Sequence, residues 1–306
     1  RCIAGAWDQL GHPHPFTLVE QGANDGRLLA DALRALPEFA PECVANLRVF
    51  IVEHLEHAVA RQFALLRDVH QHIDWVKDVA ALPRFEGLFY SNELVDSFPV
   101  RRVRFEHGQW RELCVSCPPA PAPFQWVSVP LDDELRACVA RWNPPGIEGY
   151  TTEFCPVAST WLRGVADRLM RGWVLTIDYF LEAERYYAPG RAAGTLRAYH
   201  QHRLVEDVLA RPGEQDLTTH VNLTQLDRTG QDCGLGEGVV VDQHHFVVHL
   251  AAPDLQAIER DPLAFPNAPS FVREFTTLMH PEIMGAQFRV LSQSRGVPAL
   301  PPGLPA

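Results

Sequence analysis

The sequence predicts an α/β protein with a mostly parallel, twisted sheet that is covered by helices on both faces. Short apolar runs alternate with amphipathic segments of helical spacing along the chain, and parallel strands require crossover connections of this kind. Several of the runs end in an acidic residue. Ligands of such sheets bind at the carboxyl ends of the strands. We therefore expect a ligand site at that edge.

The composition excludes several classes of function. The chain has 306 residues, of which 46% are hydrophobic and 21% are charged, as is ordinary for a globular protein. A net charge of -11 argues against nucleic acid as a partner, because affinity for phosphates is built from clustered Lys and Arg. No run of about 18 apolar residues occurs, so we expect no membrane partner.

The seven cysteines are scattered, and this pattern indicates reduced thiols and a cytoplasmic location. Cys114 and Cys117 form a C-x-x-C motif without the second pair or the nearby histidines that a zinc site needs. No metal is expected.

The strongest local signal is a strand, a glycine turn and a helix. Phe16 to Glu20 reads as a buried strand, Gly22 and Gly26 bracket the turn, and leucines then recur at helical spacing. The glycines are spaced differently from those of dinucleotide enzymes, and no phosphate-binding lysine follows. The turn is either a cofactor site or a tight turn in which Asp25 caps the helix.

Acidic residues at the strand ends indicate the ligand's chemistry. Glu20 ends the first strand and suits a ligand that carries a cation, such as a sulfonium with its amino group. A second unit has a strand from Leu47 to Glu53 and a helix from His54 to Leu66, and Glu53 is placed to accept hydrogen bonds from ribose hydroxyls. A third strand, Gly87 to Ser91, runs into Asn92 and Glu93.

The later elements extend the alternation. We predict a β-hairpin from Val100–Glu106 and Gln109–Val115, a loop over Cys117–Pro130, helices over Pro156–Leu169, Leu223–Cys233 and Phe271–Met279, and strands over Trp173–Asp178, Gly238–Val241 and Phe288–Leu291.

The chain resembles the MidA-like class I methyltransferases, a family that includes an arginine methyltransferase of mitochondrial complex I assembly. The resemblance spans about residues 16 to 296. Its motifs, in chain order, are PFTLVEQGANDGRL, FIVEHLEHAVARQ, SNELVDSFPVRRV, GWVLTIDYF, YYAPGRAAGTLRAYHQHR, PGEQDLTTHVNLTQL, DQHHFVVHL and HPEIMGAQFRVLSQSRG. It implies a Rossmann-like class I methyltransferase fold and S-adenosyl-L-methionine as the cofactor. It also implies a single domain over residues 1–306, with insertions at about 100–155 and 180–222 that form a substrate-side subregion.

The resemblance assigns a set of residues to the cofactor. The glycine turn lines its methionine end and Glu53 takes its ribose. Asp78 is predicted to contact the adenine amino group, with an exposed acid before a loop as the alternative. The full set of cofactor-binding residues is Glu20, Gly22, Asn24, Gly26, Glu53, Asp78 and Asn92.

Catalysis is assigned to Asn92, Glu93 and Asp96, which follow the third strand. A carboxylate here holds a guanidinium in bidentate fashion and takes the departing proton. The alternative is that Asn92 and Glu93 cap the following turn and only order the site.

Substrate-side residues are expected in the later motifs. Histidines at such positions serve as bases near neutral pH or, more commonly, as structural side chains. The candidates are Asp178, Tyr179, His200, Asp216 and His220. His244, His245 and His249 are spaced like metal ligands on a helix, but no carboxylate or cysteine stands in register, so packing is the favoured interpretation.

Three departures from the family pattern bear on the site. Asn24 stands where the family has its central glycine, and Phe180 replaces the glycine that follows Asp178 and Tyr179. The first change alters the approach of the backbone to the cofactor, and the second narrows the pocket. The segment that precedes the first strand in the family and covers the site is expected to be absent.

The leading hypothesis is N-methylation of a protein arginine, since the acidic strand ends and net charge suit a cationic acceptor. A small-molecule O- or N-methyltransferase is the first alternative, and a non-catalytic assembly factor that retains the fold is the second. The expected partners are a protein or small-molecule methyl acceptor and, as an open alternative, a second copy of the chain in a homodimer.

Overall fold

A computed structural model describes residues 1–119, 123–201, 203–261, 268–279 and 288–304. Residues 280–287 of the last motif lie outside the described residues, as does His202. The chain divides into two compact units. The sheet unit comprises Arg1–Leu94, Trp161–Asp178 and Asp227–Ala306, and the insert unit comprises Val95–Thr160 and Tyr179–Leu226. Both predicted insertions fall within the insert unit, and the single domain stays a prediction.

The strands of the described residues are short, and most have buried side chains. In chain order they are β1 Phe16–Gln21, β2 Leu47–Val52, β3 Ile73–Val76, β4 Phe85–Asn92, β5 Arg101–Glu106, β6 Gln109–Ser116, β7 Gln125–Pro130, β8 Thr151–Phe154, β9 Leu169–Asp178, β10 Phe180–Leu181, β11 Arg197–His200, β12 Arg203–Val205, β13 Asp216–Thr218, β14 Val221–Asn222, β15 Val239–Asp242 and β16 Arg289–Arg295.

The α-helices of the described residues connect these strands. They are α1 Cys2–Gln9, α2 Arg27–Phe39, α3 Pro41–Asn46, α4 Glu56–Leu66, α5 Asp133–Trp142, α6 Pro156–Arg168, α7 Ala183–Tyr186, α8 Leu223–Asp232, α9 Gln243–Arg260 and α10 Ala268–Met279. Short 3-10 helices cover Val79–Ala81, Val95–Ser97 and Pro189–Arg191.

The sheet unit contains a seven-stranded sheet in the order β15-β16-β9-β4-β1-β2-β3. The strands β1, β2, β3, β4 and β9 run parallel to one another, and β16 is antiparallel to both of its neighbours. The order reverses at β1, which lies between β2 and β4. Such a switch point opens a crevice at the carboxyl ends of the two strands. The predicted fold class is therefore confirmed.

One apolar cluster joins the central strands to α2. Leu29, Leu33 and Leu36 lie on the buried stripe of α2 and pack in one core with Phe16 and Leu18 of β1. Near-continuous burial along β1 and β4 is typical of parallel strands with helices on both faces.

The described residues of the insert unit form three smaller sheets. The predicted hairpin is present as β5 and β6, within a four-stranded sheet of order β7-β6-β5-β8. A three-stranded sheet has the order β12-β11-β13, and β10 pairs in parallel with β14. A second core packs under the four-stranded sheet and includes Val103, Leu135, Phe154 and Tyr187.

The structure differs from the prediction in some elements, because β7 lies in a predicted loop and α9 was not predicted. The loop predicted over Cys117–Pro130 contains β7, which forms because Gln125–Pro130 pairs with β6 along its whole length. Pro130 is tolerated there because β7 is an edge strand. The helix α9 was not predicted, since Pro253 lies inside it and proline normally ends a helix. No helix of the described residues is long and apolar enough to cross a membrane.

Truncating Leu29 to alanine is expected to destabilise the protein strongly. Leu29 is fully buried, and a Leu→Ala change in a core costs about 3 kcal/mol through lost burial and an incompletely filled cavity. The free energy of unfolding in urea measures this. Leu28→Ala is the matched control, because Leu28 is adjacent to Leu29 on α2 but is 54% exposed. This variant should change stability by less than about 0.5 kcal/mol. Equal losses for the two variants would contradict the burial of Leu29 in the core.

Candidate functional site

The predicted cofactor residues of the sheet unit lie at one edge of the sheet. Glu20 is the register partner of Ile51 on β2 and of Tyr90 on β4. Since these strands are parallel and in register, Glu53 and Asn92 follow at the same edge. The acidic strand ends that the sequence singled out are thus neighbours in space.

Glu20 is a buried acid near the end of β1. Its side chain is 2% exposed, and burial raises the pKa of its carboxyl from 4.5 to about 7. The Tyr90 hydroxyl lies close enough to offset part of this rise, but it does not reach hydrogen-bond geometry, and Glu20 Oε2 has no hydrogen-bond partner among the described residues. A buried carboxylate oxygen without a partner is costly unless a ligand completes it.

The glycine turn after β1 takes a backbone path that glycine favours. Gly22 and Gly26 have φ values of +84° and +85°, in the left-handed region that side chains disfavour. A β-carbon on Gly26 would also lie 3.4 Å from Leu66 Cδ1 of α4. The turn closes through a 2.7 Å hydrogen bond from the Gly26 N–H to the Ala23 carbonyl.

Asn24 keeps this path despite replacing a glycine. Its φ is +47°, and asparagine tolerates the left-handed region better than most residues. Asp25 accepts a 3.1 Å hydrogen bond from the Arg27 N–H at the start of α2. The N-cap residue of α2 is Gly26, which makes no side-chain cap, so Asp25 supports the start of the helix from the position before the cap. Asn24 beside it is exposed.

Glu53 is held rigidly at the end of β2. Its Oε1 accepts hydrogen bonds from the backbone N–H groups of His54, at 2.9 Å, and Leu55, at 3.0 Å. Its Oε2 accepts a 3.3 Å hydrogen bond from Gln62 Nε2. The carboxylate therefore has a fixed orientation, as recognition of a pair of hydroxyls requires.

Asp78 has a structural contact. Its Oδ1 accepts a 3.0 Å hydrogen bond from the Ala81 N–H and caps the 3-10 helix Val79–Ala81. The side chain is exposed. Its contact with adenine stays a prediction.

Asn92 is the last residue of β4, and Glu93 follows it with an unusual backbone conformation. Glu93 has a φ of +49°, which strains a residue with a β-carbon. Its N–H donates a 3.0 Å hydrogen bond to the Ile177 carbonyl of β9, and Asn92 Nδ2 lies 3.4 Å from Glu93 Oε1. The strained backbone presents an exposed carboxylate beside an amide.

Two predicted substrate-side residues are adjacent in the chain: Asp178 ends β9, and Tyr179 begins the second segment of the insert unit. Asp178 is fully buried at the end of β9. In the insert unit, Tyr179 lies with its ring centroid 6.4 Å from that of His220, and Phe180 is buried in β10 beside Val221.

The insert unit brings Asp96 to the segment that contains His220. Asp96 Oδ2 accepts a 2.7 Å hydrogen bond from Thr218 Oγ1, and its carbonyl accepts a 3.0 Å hydrogen bond from the Thr219 N–H. Burial raises the pKa of Asp96. Burial and the charges of Arg191 and Arg197 lower the pKa of His220 to about 4, so this imidazole is neutral at physiological pH.

His200 and Asp216 lie elsewhere in the insert unit. They are on β11 and β13 of the three-stranded sheet, where Tyr199 and Asp216 are register partners. His200 Nδ1 lies 2.7 Å from the Glu214 carbonyl, and Asp216 is exposed.

The buried polar residues Glu153 and Gln62 were not predicted as site residues from the sequence. Glu153 of β8 is fully buried, accepts a 2.8 Å hydrogen bond from the Thr195 N–H and lies 3.2 Å from Arg102 Nε. Gln62 is fully buried on α4, between Ala58 and Leu66. For Gln62 the detectable signal was a polar residue on the otherwise apolar stripe of α4.

The three histidines of α9 do not form a metal site. His245 bonds to Asp242 at the start of the helix, and His244, His245 and His249 are exposed. Within the described part of the chain, no group of three His, Cys, Asp or Glu residues is arranged to hold a metal. All seven cysteines are free thiols.

The family model that matches this chain covers residues 1–239 and is described as "Putative S-adenosyl-L-methionine-dependent methyltransferase". A crystal structure from Burkholderia thailandensis, of a "likely methyl transferase" bound to S-adenosyl-homocysteine, is 31% identical with a TM-score of 0.81 and covers 97% of this chain and 75% of its own. A native structure from the same species is 29% identical with a TM-score of 0.82 and covers 99% and 79%.

Curated relatives are more distant. The rat "Protein arginine methyltransferase NDUFAF7, mitochondrial" is 25% identical over 92% of this chain and 67% of its own length. The protein of the same name from Xenopus tropicalis is 23% identical over 98% and 74%. Their names place these relatives in mitochondria and do not support the cytoplasmic location expected from the cysteines.

The residues at the strand ends fit S-adenosyl-L-methionine. Glu20 offers a buried carboxylate oxygen that lacks a partner among the described residues, which suits the positive charge of the methionine portion. The glycine turn offers an open backbone, and Glu53 offers an oriented carboxylate for the ribose. The chain belongs to this family of S-adenosyl-L-methionine-dependent methyltransferases.

Proposed function

We propose that this methyltransferase modifies an arginine side chain of a protein. The observation that carries the proposal is the exposed Glu93 carboxylate beside Asn92, held on a strained backbone at the end of β4. Strain of this kind is retained at sites where a side chain must be presented in one direction. The curated relatives named as protein arginine methyltransferases support the same acceptor.

The chain's own residues position the acceptor and remove its proton. Bound S-adenosyl-L-methionine supplies a methyl group on a positively charged sulfur. Glu93 accepts two N–H groups of the guanidinium, and Asn92 fixes the Glu93 side chain. As the acceptor nitrogen bonds to the methyl carbon, the carbon–sulfur bond of the cofactor would break and S-adenosyl-homocysteine would leave. The methylated nitrogen would lose a proton, which the carboxylate of Glu93 would accept. Positioning supplies most of the rate in a displacement of this type.

Radiolabelling tests the acceptor class. The purified protein is incubated with tritiated S-adenosyl-L-methionine and cell lysate, and labelled protein is hydrolysed and separated as amino acids. We expect the label in methylated arginine. Label in a small metabolite without labelled protein would indicate the small-molecule alternative, and label in another amino acid would refute arginine.

Glu93→Gln is expected to lower methyl transfer at least 100-fold, because the amide neither neutralises a guanidinium nor accepts its proton. Binding of S-adenosyl-homocysteine, measured by calorimetry, should stay within about threefold. Glu56→Gln is the matched control, an exposed acid in the first turn of α4, and should leave both quantities unchanged. Transfer at the wild-type rate by Glu93→Gln would exclude Glu93 from catalysis.

Glu20→Gln is expected to stabilise the free protein above neutral pH. The folded-state pKa of about 7 lies above the ordinary value of 4.5, so the folded state binds more protons than the unfolded chain between these values and stability falls as pH rises through this window. The full penalty, present above pH 7, is about 3 kcal/mol. Unfolding curves of both proteins should coincide near pH 4 and separate as the pH rises to 8.

The same variant should weaken cofactor binding. The ionised Glu20 attracts the positive charge of S-adenosyl-L-methionine, so wild-type affinity should rise with pH through about 7. Glu20→Gln should bind at least tenfold more weakly at pH 8 and show a flatter profile in calorimetric titrations. A more stable variant that binds with wild-type affinity would remove Glu20 from the cofactor site.

A further inference from the structure

Gln62 is a buried amide on an otherwise apolar helix face. It is fully buried, and it lies one turn from Ala58 and one turn from Leu66 on the stripe by which α4 packs. An amide in such a position must have its hydrogen bonds satisfied by the protein.

Three hydrogen bonds satisfy it. Gln62 Nε2 donates to the Asn24 carbonyl at 2.9 Å and to Glu53 Oε2 at 3.3 Å. Gln62 Oε1 accepts from Trp75 Nε1 at 3.0 Å. Both amide protons and the amide oxygen are therefore used.

Trp75 determines which way the amide faces. An indole N–H can only donate, so the oxygen of Gln62 must face Trp75. The nitrogen consequently faces the glycine turn and Glu53. Trp75 is in turn held by β3, which pairs with β2 through Ile51 and Trp75.

The two hydrogen bonds that Gln62 donates form a bridge beyond the point where β1 and β2 stop pairing. The pairing of β1 with β2 ends at Gln21 and Val52. The residues that follow these two positions, which include the glycine turn and Glu53, are not paired with each other as strands. Gln62 joins them, since one of its N–H groups holds the turn after β1 and the other holds the acid after β2.

We propose that Gln62 is a positioning residue for the cofactor. It sets the distance between the Asn24 peptide and the Glu53 carboxylate, so that one ligand engages the turn with its amino-acid portion and the acid with its ribose. Fixing both groups before binding lowers the cost of ordering them. The inference rests on assigning both elements to S-adenosyl-L-methionine and is independent of the proposed arginine acceptor.

Gln62→Met tests the proposal, because methionine has a similar length and no amide. We expect the affinity for S-adenosyl-homocysteine to fall about tenfold or more in calorimetric titrations. 5′-Methylthioadenosine lacks the amino-acid portion and does not need both elements at once, so its affinity should fall less than about threefold. A purely structural role would lower both affinities equally, and that outcome would overturn the proposal.

Gln243→Met is the matched control. Gln243 is also buried in the sheet unit, 8% exposed, and its Nε2 lies 3.4 Å from the Leu278 carbonyl. The control should keep the affinity for S-adenosyl-homocysteine within twofold. An affinity within twofold of wild type in folded Gln62→Met would also overturn the proposal.

Trp75→Phe provides a second, milder variant. It removes the donor to Gln62 Oε1 and frees the amide to rotate, so we expect S-adenosyl-homocysteine to bind about threefold more weakly. Hydrogen exchange without any ligand should show a protected Trp75 indole proton in the wild type. The signal is assigned by its absence in Trp75→Phe. In Gln62→Met the same indole proton should exchange rapidly. Unchanged binding by Trp75→Phe together with a protected indole proton in Gln62→Met would refute the bridge.

Discussion

The parallel pairing of β1 between β2 and β4 determines where the functional groups of the sheet unit lie. Both pairings are in register over the apolar part of β1. Because parallel strands all point the same way, the residues after each strand emerge at one edge, although they are far apart in sequence. The order reverses at β1, so the connections diverge there and leave a crevice for a ligand. Glu20, Glu53 and Asn92 are neighbours for this reason.

The two acids at this edge differ in their surroundings. Glu20 is buried with a carboxylate oxygen that has no hydrogen-bond partner among the described residues, and its charged form is disfavoured. Glu53 accepts backbone hydrogen bonds at the approach to α4 and a side-chain hydrogen bond from Gln62. The surroundings of Glu20 suit the binding of a cation, and those of Glu53 suit oriented hydrogen bonds to neutral hydroxyls. A ligand that carries a cation at one end and a ribose at the other matches both.

Much of the sheet unit could be predicted from the sequence, because its strands are apolar on both faces and its turns contain glycine. The family, the fold class and the cofactor are confirmed. The predictions failed where pairing or packing overrides local pattern. The strand β7 exists because β6 offers it a partner, and α9 continues through Pro253.

The sequence by itself determined the alternation of strands and helices, the glycine turn and the acids that end the strands. These features are local, because hydrophobic periodicity, the positions of glycines and strand length can each be recognised within a few adjacent residues. The tertiary structure alone decided that Glu20 is buried with a raised pKa, that Asp96 bonds to Thr218, and that Gln62 bridges Asn24 and Glu53. Burial and hydrogen bonding between distant segments depend on three-dimensional packing, which brings together residues that no local pattern connects.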